Sequence, residues 1–137
     1  MRISSVDWGM HLSAHGNLAD IDWASRRWNA SQAYSESKLL VSALSAAVAR
    51  RWPDTLSNSV DPGWVPTKMG GPAASDDLQL GHQTQSWLAV SDDAKARTSG
   101  KYWHHKRTQK PADEVTNIAF QDRLLETLSS MTGTVLT

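Results

Sequence analysis

The chain contains no cysteine among its 137 residues. This absence excludes disulfide scaffolds, thiol nucleophiles and zinc sites that use Cys ligands. A chain without thiols is compatible with a reducing compartment, and we expect a cytoplasmic protein.

A surplus of charge and a long apolar run are also lacking. Fourteen Lys and Arg residues balance fourteen Asp and Glu residues, so the formal net charge is zero. No overall field draws such a chain to nucleic acid or to a lipid surface, and we expect neither as a partner. The longest apolar run, residues 39–49, is interrupted by Ser42 and Ser45 and is shorter than the ~20 residues that span a bilayer. Because no apolar stretch follows the charge at Arg2, we expect no signal peptide.

What the chain does contain is typical of one globular domain, residues 1–137. Hydrophobic residues make up 39% and charged residues 20% of the sequence, which excludes a disordered chain. Three strands alternate with three helices in the predicted order, and this alternation indicates an α/β fold with a parallel sheet. The predicted strands are 2–6, 55–60 and 99–103, and the predicted helices are 31–51, 75–90 and 117–131. Residues 7–29 are predicted as a loop with one helical turn near 22–27.

The helix over residues 31–51 is the strongest local signal. Asn29 or Ser31 can cap its start, Arg50 and Arg51 suit the negative end of its dipole, and no Gly or Pro interrupts it. Beyond its first turns the helix has no charged face. We therefore expect it to be buried on more than one side.

Tyr34 and Lys38 lie four residues apart in this helix, so their side chains share one face. A tyrosine hydroxyl has an ordinary pKa of ~10 and is a poor acid or base at neutral pH. A nearby ammonium group lowers that pKa, so the pair is suited to proton transfer. The same spacing is also typical of a half-buried tyrosine beside a solvated lysine, and the pair alone does not decide between the two.

Two further motifs accompany this Tyr-x-x-x-Lys pair. Ser4-Ser5 ends the first predicted strand, and the segment Asp61-Pro62-Gly63-Trp64-Val65-Pro66-Thr67 follows the second. Together the three motifs resemble those of the short-chain dehydrogenase/reductase family. The long interval between Ser5 and Tyr34 is similar to that of the branch with retinol dehydrogenases and WW-domain oxidoreductases. The resemblance covers roughly residues 2–133.

The resemblance implies an NAD(P)-dependent oxidoreductase that interconverts a carbonyl and a secondary alcohol by hydride transfer. Tyr34 would be the general acid or base, and Lys38 would lower the Tyr34 pKa and bind the nicotinamide ribose. Ser5, or failing that Ser4, would hold the substrate oxygen. The implied cofactor-binding residues are Tyr34, Lys38, Pro62, Gly63, Val65 and Thr67, and the implied pocket residues are Trp64 and Met69.

The chain departs from the family in its cofactor motif. A dinucleotide site of this type needs a glycine-rich turn after the first strand, and no such turn occurs in this sequence. The resemblance therefore covers only the C-terminal half of a Rossmann-like doubly wound parallel sheet, and we expect a truncated chain. NAD and NADP cannot be distinguished, since the deciding position belongs to the other half. A second copy of the chain or the N-terminal half would be a partner.

Two hypotheses follow. In the first, the chain is the catalytic and substrate half of an oxidoreductase that acts on a small-molecule carbonyl or alcohol. In the second, it is a non-catalytic remnant or interaction module that binds no dinucleotide. The absent glycine-rich turn favours the second hypothesis for the chain taken alone.

Three other features are assigned no chemistry. The pair His104-His105 has no further ligands at metal-binding spacing, so we predict no metal site. The basic residues that follow are typical of a solvated strand edge more than of a nucleic-acid surface. The pair Asp76-Asp77 suits the N-terminus of the helix predicted from Ser75.

Overall fold

Four strands form one sheet in the order β1-β2-β3-β4. The computed structural model describes all residues from 1 to 137. The strands are β1 (Arg2–Val6), β2 (Leu56–Asp61), β3 (Tyr102–His104) and β4 (Arg107–Gln109). The helices are α1 (Ala30–Arg51), α2 (Leu80–Val90), α3 (Asp113–Thr116) and α4 (Ile118–Thr132), with short 3-10 helices at Gly9–Ser13 and Leu18–Asp20.

The parallel part of the sheet confirms the predicted α/β class. β1 pairs with β2 and β2 pairs with β3, both in parallel, so the three predicted strands are neighbours. Each strand lies within a few residues of its predicted position. β1 has only one neighbour and forms an edge of the sheet.

The fourth strand was not predicted. β4 pairs antiparallel with β3 through a two-residue turn, His105-Lys106. Both turn residues have positive φ, 47° and 60°, as tight hairpins require. The usual sequence signal for such a turn is Asn or Gly, which side chains of other types rarely replace. The residue types of this turn therefore do not indicate a hairpin.

Helix α1 begins as its cap predicts, because the Asn29 side chain accepts a hydrogen bond from the Gln32 backbone N–H at 3.0 Å. Its small serine side chains let it lie close to the sheet. The Ser45 and Ser57 hydroxyl oxygens are 3.0 Å apart, both fully buried between α1 and β2. α1 also packs against α3 and α4, so the expectation of burial on more than one side is confirmed.

Apolar clusters lie on both sides of β2. On one side Val60 packs with Leu88 of α2 and Trp103 of β3. On the other, α1 contributes Ala43 to a cluster with Phe120 and Leu124 of α4. The sheet is thus a middle layer with helices on both faces, as in other α/β proteins. None of the helices combines the length and the apolar character needed to cross a membrane.

The helical turn predicted near residues 22–27 is wrong. Carboxylates of this segment bind backbone N–H groups instead: Asp22 accepts from Ala24 and Asp20 accepts from Ser25. Such local bonds compete with helical ones. Trp23, with φ of 61°, also leaves the helical region. The turns of this loop are the two 3-10 helices on its N-terminal side.

Helix α2 begins five residues later than predicted. Asp77, not Ser75, accepts hydrogen bonds from the first N–H groups, those of Gln79 and Leu80, at 2.7 and 3.1 Å. The Asp76 carboxylate accepts no hydrogen bond from the N–H groups of α2. It accepts a hydrogen bond from the Trp64 backbone N–H at 2.6 Å, which closes the preceding loop.

Candidate active site

A cavity of about 400 Å³ opens where β1 and β2 end. Parallel strands of an open sheet bring their carboxyl ends to one edge, and ligands of such folds bind there. All of the site residues predicted from the sequence line this cavity except Ser5 and its alternative, Ser4: Tyr34, Lys38, Pro62, Gly63, Trp64, Val65, Thr67 and Met69. Val6, Asp7, Trp8 and Gly70 complete the lining.

Tyr34 and Lys38 enter the cavity from the first turns of α1. The Tyr34 ring is half-buried, and the Trp8 ring meets it edge-on with the centroids 5.6 Å apart. Lys38 Nζ lies 5.3 Å from the centre of the Tyr34 ring and donates a hydrogen bond to the Val6 carbonyl at 3.3 Å. The carbonyl at the end of β1 therefore fixes the lysine beside the tyrosine.

The pKa of Tyr34 is raised above its ordinary value, opposite to the direction expected from Lys38. Burial is the largest cause, and the carboxylates of Asp7 and Asp61 add to it. Burial and negative charge both disfavour a phenolate. Both effects therefore favour the protonated form of Tyr34.

Ser5 is not brought into the cavity. It lies within β1, opposite Ser59 of β2, and the strand continues for one residue beyond it. The chain then turns, and Val6, Asp7 and Trp8 supply the cavity wall that Ser5 was expected to supply. Asp7, two positions after Ser5, is the residue of this segment that brings a polar side chain to the cavity.

The Asp7 carboxylate is buried and fully bonded. It accepts hydrogen bonds from the Ser42 hydroxyl at 2.7 Å and from the Trp8 backbone N–H at 2.6 Å. His11 Nδ1 lies 2.6 Å from Oδ2 of the same group, and neither side chain is exposed. Three donors make this buried anion stable, since each replaces a water molecule.

His11 links Asp7, which lines the cavity, to the residue that precedes helix α3. Its Nε2 accepts a hydrogen bond from the Ala112 backbone N–H at 3.3 Å. The ring hydrogen is therefore on Nδ1, which donates a hydrogen bond to the Asp7 carboxylate. The sequence reasoning missed this pair. Its signal was the spacing of Asp7 and His11, four residues apart, which places two side chains on one side of a helical turn.

A second carboxylate, Asp61, lies at the end of β2. It accepts hydrogen bonds from the Tyr102 hydroxyl at 3.3 Å and from the Gly63 backbone N–H at 2.8 Å. His104 Nδ1 lies 3.6 Å from Oδ2, the same oxygen that accepts from Tyr102. Burial, together with Asp61 and Asp7, raises the pKa of Tyr102 far above its ordinary range. Two carboxylates, Asp7 and Asp61, thus lie at this end of the sheet.

The loop after β2 forms the outer wall. Gly63 has φ of 81°, and a Cβ at this position would lie 2.5 Å from the Asp76 carboxylate, so only glycine fits. The Trp64 indole N–H donates to the Gly70 carbonyl at 3.0 Å, and Thr67 accepts from the Gly70 N–H at 3.1 Å. These bonds fold residues 64–70 over the cavity.

No group of three or more potential ligands that could hold a metal ion occurs in the structure. The cavity is lined by one tyrosine, one lysine, one carboxylate and several apolar side chains. Such a set can exchange a proton and bind an apolar molecule.

The chain was compared with known proteins, and no protein-family model matches it. A short-chain dehydrogenase of Penicillium rubens is 34% identical over 127 residues, which are 90% of this chain and 49% of that protein. The chain is homologous to short-chain dehydrogenases. Retinol dehydrogenase 13 of Homo sapiens, from the branch expected from the sequence, is 25% identical over 96% of this chain and 46% of that protein.

This short-chain dehydrogenase homologue spans about half the length of the curated relatives it matches, and the matching part is their C-terminal half. A crystal structure of an uncharacterized protein from Mycobacterium Paratuberculosis superposes with a TM-score of 0.69 at 21% identity. That match covers 99% of this chain and 52% of the other chain. At this identity the likeness shows the fold alone, and it agrees with a partial Rossmann-like sheet.

Short-chain dehydrogenases generally use NAD or NADP. The cavity fits the nicotinamide end of such a cofactor, since it combines Tyr34 and Lys38 with the backbone of the loop after β2 at the carboxyl ends of parallel strands. The sequence contains no glycine-rich turn after its first strand that could bind the pyrophosphate end. The residues present thus fit one end of the cofactor.

Proposed function

We propose that this chain is the catalytic and substrate half of an NAD(P)-dependent oxidoreductase that interconverts a carbonyl and a secondary alcohol. The observation that carries the proposal is the convergence of three distant segments on one cavity. Val6–Trp8, the Tyr34–Lys38 turn and residues 62–70 are remote in sequence and share one lining. Tyr34 is the general acid or base, and Lys38 is its partner.

The bound nicotinamide would accept or donate the hydride. The protein's own part is the proton. Tyr34 gives its proton to the oxygen of a carbonyl, or takes one from an alcohol, while Lys38 binds the nicotinamide ribose. Burial and the nearby carboxylates raise the pKa of Tyr34, so the hydroxyl is protonated in the resting chain and would act as the acid when a carbonyl is reduced.

Other residues of the cavity bind and position the two molecules. Pro62, Gly63, Val65 and Thr67 support the nicotinamide. Trp8, Trp64 and Met69 form an apolar rim, with Trp64 39% and Met69 81% exposed, and this rim suits a flat apolar substrate. Ser5 lies outside the cavity, so the proposal does not use it to hold the substrate oxygen.

The pyrophosphate-binding half must come from elsewhere for this function. The sources are the remainder of a longer protein, a second chain, or a second copy of this chain. The edge strand β1 is where such a half can continue the sheet, since its outer side has no neighbouring strand. The position that selects NAD or NADP belongs to that other half, so the proposal covers both cofactors.

A cofactor titration tests the proposal. NADH and NADPH are added to the folded chain, and energy transfer from tryptophan to the nicotinamide is measured. Trp64 and Trp8 line the cavity, so the transfer reports binding there. We expect saturable binding that Lys38→Ala weakens by about tenfold, the effect of one lost charge-assisted hydrogen bond. Tyr34→Phe should bind the cofactor as the unmodified chain does and abolish turnover in the completed enzyme.

Lys68→Ala is the matched control, since Lys68 is exposed on the loop of residues 64–70 and does not line the cavity. Equal weakening by Lys68→Ala and Lys38→Ala would contradict the proposed binding mode. Turnover retained by Tyr34→Phe would contradict the proposed acid.

The second candidate is a non-catalytic module, and the absent glycine-rich turn favours it. In that case the folded chain binds neither NADH nor NADPH, whether alone or mixed with the N-terminal half of a relative. Binding only in the mixture supports the first candidate and assigns the activity to the assembled protein.

A further inference from the structure

A second cavity, separate from the Tyr34 cavity, lies beside β3 and β4. It measures about 390 Å³ and shares no lining residue with the first. The loop before β3 forms one wall, and the β3–β4 hairpin forms the other. Trp103 of β3, which is 3% exposed, contributes to the lining between them. We call this cavity the hairpin groove.

The charge of the hairpin groove has one sign. Four cations line it, two from each wall: Lys95 and Lys101 from the loop, Lys106 and Arg107 from the hairpin. No carboxylate lines it, and none of the four cations forms an ion pair. Thr98 and Thr108 add a hydroxyl on each side. In a chain of zero net charge, this is a local excess of positive charge.

The loop wall is held in place by a buried side chain. Asn58 of β2 is 2% exposed, and its amide donates to the Thr98 carbonyl at 2.8 Å. Its carbonyl oxygen accepts from the Lys101 backbone N–H at 3.0 Å and from the Trp103 indole N–H at 3.4 Å. One side chain thus fixes the loop and the strand to each other.

The hairpin wall is held by another buried side chain. Thr84 of α2 is 2% exposed, and its hydroxyl accepts a hydrogen bond from the Lys106 backbone N–H at 3.0 Å. The two turn residues keep a left-handed conformation that non-glycine residues adopt only at a cost, so this bond and the strand pairing stabilise the turn. The cations therefore project from two fixed walls.

We propose that the hairpin groove binds a compact polyphosphate, such as pyrophosphate, tripolyphosphate or the phosphate chain of a small soluble molecule. Four cations around one cavity match several charges on neighbouring phosphate groups, and the Thr108 hydroxyl adds a hydrogen-bond donor. A nucleic acid fits less well, because its phosphates are spread along a strand while these cations surround one cavity. This site is independent of the proposed oxidoreductase function.

Inorganic tripolyphosphate is the probe for the test. It is titrated into the isotopically labelled chain, and the resonance of the Trp103 indole N–H is followed by NMR. We expect a saturable shift with one tripolyphosphate per chain, weaker at higher salt. Lys101→Ala and Arg107→Ala, one from each wall, should each reduce the affinity by about tenfold, and the double variant by more.

Arg123→Ala is the control, since Arg123 is exposed on α4 and lines neither cavity. The side chains of Lys101 and Arg107 are exposed, so the variants keep the fold, which circular dichroism checks. Four results overturn the proposal: no shift; the same shift from sodium chloride at equal ionic strength; equal weakening by Arg123→Ala; or tighter binding of a short oligonucleotide. The first of these would leave the cations as protection of the β4 edge against pairing with other chains.

Discussion

The Tyr34 cavity and the hairpin groove are of similar size and differ in their charges: Asp7 and Lys38 line the first, whereas four cations and no carboxylate line the second. Beneath the Tyr34 cavity lie two carboxylates, Asp7 and Asp61, and Asp7 is 1% exposed. Around the hairpin groove stand four exposed cations without a counter-ion. The difference is one of depth. The negative charges are part of the interior and hold the fold together, whereas the positive charges lie on the surface and are free for a ligand.

This comparison shows why a net charge of zero is a poor guide to the sites of this protein. Each cavity has its own field, because near charges dominate and salt screens distant ones. The two share one device: a buried polar side chain with several hydrogen bonds positions the walls. Asp7 does this for the first cavity, and Asn58 does it for the second.

The largest expected effect comes from breaking the buried pair. His11→Ala removes a donor from the Asp7 carboxylate and leaves the Ala112 N–H without its acceptor. We expect the free energy of unfolding to fall by about 3 kcal/mol, because a buried carboxylate loses a donor and a backbone N–H loses its acceptor. Urea denaturation followed by circular dichroism measures it.

His15→Ala is the matched control, since His15 lies in the same loop with its side chain 96% exposed. We expect it to change the free energy of unfolding by less than about 0.5 kcal/mol. If the two variants behave alike, the negative charge beneath the Tyr34 cavity is not structural, and the comparison fails.

An intermediate effect is expected from alkaline pH. The pKa values of Tyr34 and Tyr102 are raised in the folded protein, so above the ordinary value of ~10 the unfolded chain loses protons that the folded chain keeps. Stability is therefore fully present below about pH 10 and falls as pH rises beyond it. For Tyr102, the more buried of the two, the slope is at most about 1.4 kcal/mol per pH unit.

Tyr102→Phe checks this expectation, because phenylalanine cannot ionise. Urea denaturation at several pH values between neutral and strongly alkaline should show a flatter decline for the variant than for the unmodified chain. An equally steep decline would mean that burial and the neighbouring carboxylates do not hold Tyr102 in its protonated form.

The smallest effect is expected in the hairpin groove. Lys101→Ala removes an exposed side chain without an ion pair, while the backbone N–H that binds Asn58 remains. We expect the free energy of unfolding to change by less than about 0.5 kcal/mol, again by urea denaturation. A loss above about 1 kcal/mol would show that this cation supports the fold and would remove the contrast between the two cavities.

The local elements could be predicted from the sequence because their signals are local. The Asn29 cap, the uninterrupted run of helix α1 and the turn residues after β2 indicate their own structures. The Tyr34–Lys38 pair and the loop of residues 62–70 were likewise placed together by motif. The sequence predicts Asp76 at a helix N-terminus, but its carboxylate accepts a hydrogen bond from the Trp64 backbone N–H. This bond forms only when the loop after β2 closes, and the sequence carries no local signal for that closure.

By itself, the sequence determined the α/β class, the likeness to the C-terminal half of short-chain dehydrogenases, and most of the cavity lining. The tertiary structure alone decided that Ser5 stays in the sheet while Asp7 and His11 lie beneath the cavity. It also decided the raised pKa of Tyr34 and the pairing of β4 with β3. Helix periodicity and capping act between residues a few positions apart, whereas burial, charge and strand pairing depend on groups up to a hundred residues apart.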